Sequence, residues 1–229
     1  MSAMTWAGVL LVVLPVAFNA AFAGLAATFE YPDVLRRPTA EVLARFRARG
    51  TTVPLLFGLL ALCALSLAPT AALLAIVVAD GGLALAATGA CLGVLAGLVQ
   101  AVGLVRWPFA VPHLARVEES GDAAEKAAVD VVFQALHRSF GVAVGEHLGY
   151  LLTGVWSVLA GVAVVRGSVL PAALGVPGPV LGALLVVCSL EFVGPAEPRG
   201  WRLAGTLTPL AYLGWSLWLA ALGIGLLLA

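Results

Sequence analysis

Charge is scarce in this chain. Of 229 residues only 10% are Asp, Glu, Lys or Arg, and lysine occurs once, at Lys126. A soluble domain carries about 25% charged residues, so this sequence cannot build a water-facing shell all round. The twelve acidic and twelve basic residues cancel. That removes an overall field for nucleic acid, and no RNA-binding or DNA-binding pattern is present. Cysteine is also sparse: Cys63, Cys91 and Cys188 stand far apart in apolar runs. An odd, scattered set gives neither a disulfide framework nor a CxxC metal or redox site, and the three read as small buried hydrophobes. HExxH, GxxxxGK[ST] and strand-linked GxGxxG patterns are all missing. Residues 1–35 hold no Lys or Arg, so Ala21-Phe22-Ala23 lacks the basic region that a signal-peptide cleavage site requires.

What the chain has in abundance is apolar surface: 62% of its residues are hydrophobic. A bilayer core of about 30 Å takes roughly 20 apolar residues per helix. Six runs qualify, at about 6–29, 53–79, 83–105, 141–165, 176–194 and 203–228. Pro69 removes a backbone donor and predicts a kink in the second run, and Asp80-Gly81-Gly82 predicts a turn before the third. Eleven of the twelve basic residues fall in three alternate connections: Arg36, Arg37, Arg45, Arg47 and Arg49, then Arg106, Arg116, Lys126 and Arg138, then Arg199 and Arg202. Only Arg166 falls on the other side. Because basic loops stay in the cytoplasm, the pattern predicts an all-α, polytopic transmembrane bundle of about six spans with both termini outside. It forms one transmembrane domain over 1–229, placed in the inner, cytoplasmic membrane.

Two connections carry further pattern. In 34–49, Leu35, Val42, Leu43 and Phe46 alternate with arginines, which predicts a short amphipathic helix on the inner leaflet with its guanidiniums among lipid phosphates. A solvated basic loop that only fixes topology has the same composition. The 106–138 connection is the longest. It is expected as a cytoplasmic loop whose second half turns helical near Gly121, with Ala124, Ala127, Ala128, Val131 and Val132 on one side.

Glycine recurs every four residues at Gly89, Gly93 and Gly97 in the third run, and at Gly141, Gly145 and Gly149 in the fourth. In lipid, a stripe of small residues lets two helix backbones approach closely. The third and fourth spans are therefore expected to form a tight pair.

A charged side chain at the centre of a membrane helix costs about 2.5–3.5 kcal/mol on insertion scales, so each needs a partner or a wet cavity. The candidates gather at the cytoplasmic side. Glu30 ends the first span, Gln100 and Arg106 end the third, His137 and Arg138 precede the fourth, and Glu146 and His147 lie in its first turns. Helical geometry puts Glu146 on one face with Tyr150 and Thr153 and His147 about 100° away. Arg106, Gln100 and His137 are the expected partners of Glu146. His113 follows Pro108 and Pro112 and lies between two arginines in RWPFAVPHLAR, at the depth of an interfacial anchor. Asn19 suits an interhelical hydrogen bond. Trp156, Trp201, Trp215 and Trp218 suit interface and packing positions.

Three segments carry a family resemblance: FEYPDVLRRPTAEVLARF at 29–46, VRWPFAVPHLAR at 105–116 and FQALHRSFGVAVGEHLGYLLTGVW at 133–156. Together they resemble a family of bacterial six-span integral membrane proteins catalogued as a domain of unknown function. The resemblance covers essentially the whole chain and implies the fold and the inner-membrane location. It brings no established activity, ligand or catalytic residue.

Three functions remain open on the residues. The first is a polar pocket at the inner-leaflet side that binds or processes an amphipathic small molecule: a lipid, an isoprenoid or a quinone. It would use Glu146, His147 and Glu30 for proton chemistry and Arg106, His113, His137, Arg138, Gln100 and Tyr150 to hold the ligand. The second is a non-catalytic assembly or interaction subunit whose polar residues tie helices together. The third is a haem-binding or small-solute carrier protein. The three histidines lack any short metal-ligand spacing, and ionisable residues are nearly absent from the outer half. No cofactor or metal is assigned and the oligomeric state is open. Side chains converging on one cavity favour the first reading, and pairwise contacts favour the second.

Overall fold

A computed structural model describes residues 2–197 and 199–229, and among these residues every regular element is helical. The α-helices are α1 (Ala3–Phe29), α2 (Thr39–Ala48), α3 (Thr52–Val77), α4 (Leu83–Ser120), α5 (Ala123–Leu136), α6 (Gly149–Arg166), α7 (Pro177–Cys188) and α8 (Arg202–Leu228). Between α5 and α6, residues His137–Leu148 form a π-helix, so 123–166 is one helical stretch of 44 residues. Short 3₁₀ turns at Asp33–Arg36, Ala79–Gly81, Ala172–Leu174 and Gly194–Ala196 complete the described path.

Five of these stretches are long and apolar enough to cross a bilayer: α1, α3, α4, 123–166 and α8. The chain is a multi-pass membrane protein. The expected span at 176–194 contains a helix of only 12 residues, α7, about 18 Å long. Gly182 and Gly178 within α7 leave little side chain to separate it from α6, and the contacts step in opposite directions along the two strands of chain. Gly161 meets Gly175 and Gly178, Gly154 meets Gly182, His147 meets Ser189, and Arg138 meets Glu197. The segment therefore runs antiparallel to α6 and returns to the level of the π-helix, with α7 as its helical middle.

The largest departure from the sequence expectation lies at 106–138, which is not a loop. α4 continues through Pro108 and Pro112 to Ser120, and α5 turns straight back, capped by Asp122 with a reciprocal Glu125 bond. An interior proline costs about 3 kcal/mol. The extension offsets this by burying Trp107, Val111, Leu114 and Ala115, at about 1.5–3 kcal/mol for each large apolar side chain. α3 likewise runs through Pro69 without interruption.

The apolar face of α2 also differs from expectation. Val42, Leu43 and Phe46 are buried against α4 and α5, not laid on the leaflet. They close an aromatic core in which Trp107 stacks on Phe57 at 4.4 Å, with Phe29 and Phe133 edge-on at 5.5 and 6.3 Å. A second core fills the bundle around Trp156, Trp215 and Trp218, while Trp201 is exposed.

Candidate functional site

The polar residues expected to share one site divide into two sets. The first set forms closed pairs at the rim. Glu30 caps α1 in the left-handed conformation (φ 56°), which turns its carboxylate toward α2. There Arg37 reaches it at 2.7 Å, and Arg45 reaches it too. Both arginines also hold Glu41, at 2.6 and 3.1 Å. These charges lie outside the spans. The Arg45 hydrogen bond keeps the Glu30 carboxyl below its ordinary value, and the Arg37 bond does the same for Glu41. Arg138 pairs with Glu197 across to the α7–α8 connection. His147 Nδ1 lies 2.7 Å from the Ser189 carbonyl, tying the π-helix to the end of α7. His113 is exposed on the extended part of α4, apart from the others.

The second set centres on Glu146. It is half-buried on the π-helix and has no hydrogen-bond or ion-pair partner among the described residues. Of its three expected partners, Arg106 donates to the Gly103 carbonyl and lies 3.5 Å from His137 Nδ1. Gln100 donates to Thr153 Oγ1 at 2.9 Å. Within electrostatic range of the Glu146 carboxylate lie Arg106, Glu191, Tyr31, Tyr150 and Tyr212. These side chains come from α4, the chain after α7, the chain after α1, α6 and α8. Tyr31, outside the spans, has its phenol pushed up to about 12 by burial, reinforced by Glu146 and opposed by Arg106. It therefore stays a hydrogen-bond donor throughout the physiological range.

Glu146 lies on the π-helix His137–Leu148, whose i→i+5 bonding widens each turn, while the hydrogen bonds of Arg106 and Gln100 go to Gly103 and Thr153. No residue in HRSFGVAVGEHL announces the wider turns, and Tyr31, Glu191 and Tyr212 are brought to the group by tertiary packing alone.

Glycines position the π-helix. A Cβ at Gly103 would lie 2.7 Å from the Gly145 Cα, one at Gly141 would lie 2.6 Å from Arg106 Nη2, and one at Gly149 would lie 2.7 Å from Gln100 Cγ. The stripe 141–145–149 thus faces α4, but it meets Gly103, Arg106 and Gln100. Gly97 faces the Ala64 carbonyl on α3, Gly93 is wedged between Ala71 and Trp156, and Gly89 is in ordinary contact with Leu159. The sequence reading missed the seven-residue spacing shared by Gly154/Gly161 and Gly175/Gly182, which marks the α6–α7 approach.

Two small cavities lie deeper in the bundle. One of about 10 Å³ is lined by Trp156 and apolar residues of α3, α4 and α6, and one of about 20 Å³ is bordered by Gln100 and Tyr212. Among the described residues no three His, Cys, Asp or Glu side chains are grouped to hold a metal.

Residues 6–223 match a family described as Domain of unknown function (DUF4386). No curated protein and no solved structure matches the chain.

Proposed function

We propose that this chain, which belongs to the DUF4386 family, binds the polar head of an amphipathic small molecule, a lipid, isoprenoid or quinone, beside Glu146. The observation that carries the reading is the unpaired, half-buried Glu146 carboxylate on a π-helix, faced by groups from five parts of the chain. Ionisable residues inside a membrane mark functional sites by default, and π-helical turns concentrate at such sites. Arg106 supplies a cation for an anionic or carbonyl head group, Glu146 accepts a hydrogen bond or a proton, and the Tyr31 and Tyr150 hydroxyls orient the ligand. Gln100 and His137 act from behind, as partners of Thr153 and Arg106. The hydrocarbon part of the ligand lies along the lipid-facing surface. Glu30, Arg138, His147 and His113 drop out of this shell, since the first three have partners elsewhere and the fourth lies apart.

The location follows from charge. Eleven of the twelve basic residues on one side put the Glu146 end in the cytoplasm, both termini outside, and the protein in an inner membrane. A non-catalytic assembly subunit is the second reading, favoured by the Glu30–Arg45, Arg138–Glu197 and His147–Ser189 contacts that simply join elements. The two are separated by purifying the full chain in mild detergent and extracting bound lipids for mass spectrometry. Ligand binding at Glu146 predicts one enriched lipid class, reduced at least tenfold in Glu146→Gln at equal thermal stability. Unselective lipid in both proteins leaves the assembly reading in place.

A further inference from the structure

The larger of the two cavities lies at the centre of the bundle, where α1, α3, α4 and α8 meet. Leu14, Phe18, Cys63, Ala64, Leu67 and Trp215 form its apolar wall, and Gln100 and Tyr212 supply its polar atoms. The Tyr212 hydroxyl is fully buried and has no hydrogen-bond partner of good geometry among the described residues, with Thr153 close enough to act on it. Gln100 spends its amide nitrogen on Thr153 Oγ1 (2.9 Å) and the Ala96 carbonyl (3.3 Å), which leaves its Oε1 as an acceptor without a hydrogen bond among the described residues. A buried hydroxyl without a partner is destabilising, and hydrocarbon around the bundle offers no solvent to relieve it.

Size and polarity decide the occupant. A site needs about 10–15 Å³ of free volume and two or more polar partners to hold a water, whereas purely apolar voids stay dry. This cavity has about 20 Å³, enough for one water and too little for an organic molecule. The second cavity, of about 10 Å³, is at the lower limit of size and is walled by apolar side chains, so it lacks the polar partners.

We propose that the Gln100–Tyr212 cavity is a specific hydration site holding one ordered water, which donates to Gln100 Oε1 and accepts from the Tyr212 hydroxyl. The water extends a polar seam already present across the bundle. Trp215 Nε1 donates to Ser157 Oγ at 2.9 Å, Ser157 Oγ donates to the Thr153 carbonyl at 2.7 Å, and Thr153 Oγ1 accepts from Gln100. With the water in place, the seam that already runs from Trp215 on α8 through α6 to Gln100 on α4 returns to α8 at Tyr212. The proposal does not depend on a ligand beside Glu146.

The test is an experimental structure of the full chain in a lipid nanodisc, at a resolution that shows ordered water, for the wild type and for Tyr212→Phe. One density peak within hydrogen-bond distance of both Tyr212 Oη and Gln100 Oε1 is expected in the wild type. It should be missing in the variant, whose melting temperature falls by about 2–4 °C, the shift of a 1 kcal/mol loss in a chain of this length. An empty cavity in the wild type overturns the proposal. So does a peak that persists unchanged in Tyr212→Phe, since the hydroxyl would then not be its ligand. The wild-type density decides the matter even if the variant fails to fold.

Discussion

Gly103 on α4 and Gly145 on the π-helix touch backbone to backbone: a Cβ on Gly103 would stand 2.7 Å from the Gly145 Cα and 2.8 Å from the Phe140 carbonyl oxygen. Neither atom is the free end of a side chain, so a methyl group at 103 must push two helices apart. Overpacking of this kind costs about 1–3 kcal/mol. Gly103→Ala is expected to lower the melting temperature in detergent by about 2–4 °C per kcal/mol lost. Gly58→Ala is the control, because nothing lies within 4 Å of its added Cβ. Equal melting temperatures for the two variants would remove the close approach from the account.

Trp215 and Ser157 form a buried pair, with the indole N–H donating to the hydroxyl at 2.9 Å. Ser157→Ala strands that N–H in an apolar core, at about 1–3 kcal/mol. Trp215→Phe removes the donor as well as some apolar area. A thermal-denaturation cycle of the two single variants and the double variant should give coupling of about 1 kcal/mol. Additive effects would mean that the pair is geometric coincidence.

Much of the architecture is legible in the sequence because it is set by run length and charge placement. The turn at 80–82 and the apolar stretches of α1, α3 and α8 follow directly from those. What escaped did so for local reasons. Pro108 and Pro112 read as breakers, yet burial of Trp107 and Val111 carries α4 past them. The arginines of 36–49 read as lipid contacts, but four of the neighbouring charges close on one another and Val42, Leu43 and Phe46 turn inward. For the site, Glu146 and Arg106 are visible as charges in an apolar context. The company they keep is not, since Tyr31 and Tyr212 arrive from distant parts of the chain, and Glu191, visible as a charge near the end of the fifth run, is brought to the group only by packing.

The Glu30–Arg37–Glu41–Arg45 cluster predicts a pH dependence with a definite sign. Both carboxyls sit below their ordinary value of 4.5 in the folded protein, so the unfolded chain binds more protons near that pH. The stabilisation is complete above the unfolded value and is lost as pH falls through the folded one. The melting temperature of the wild type is therefore expected to hold near neutrality and drop below about pH 4.5. Glu30→Gln/Glu41→Gln should be less stable at pH 7 and should lose less on acidification. Both groups are exposed, so the difference should shrink at high salt. Parallel curves for the two proteins would mean that the cluster carries no net stabilisation.

Orientation can be decided from two exposed basic residues at opposite ends of one helical stretch. Lys126 and Arg166 are joined by continuous helix, and 40 residues at about 1.5 Å each exceed the roughly 30 Å hydrocarbon core. A stretch of that length that crosses the bilayer puts them on opposite faces. The proposed orientation, with Arg166 the one basic residue on its side, predicts that the side holding the other eleven is the cytoplasm. Cys63, Cys91 and Cys188 are first replaced by Ala. Arg166→Cys should then react with a membrane-impermeant maleimide on intact cells, whereas Lys126→Cys should react only after permeabilisation. The reverse pattern would place the Glu146 end of the bundle at the outer leaflet, and labelling of both positions from outside would mean that 123–166 does not cross the membrane.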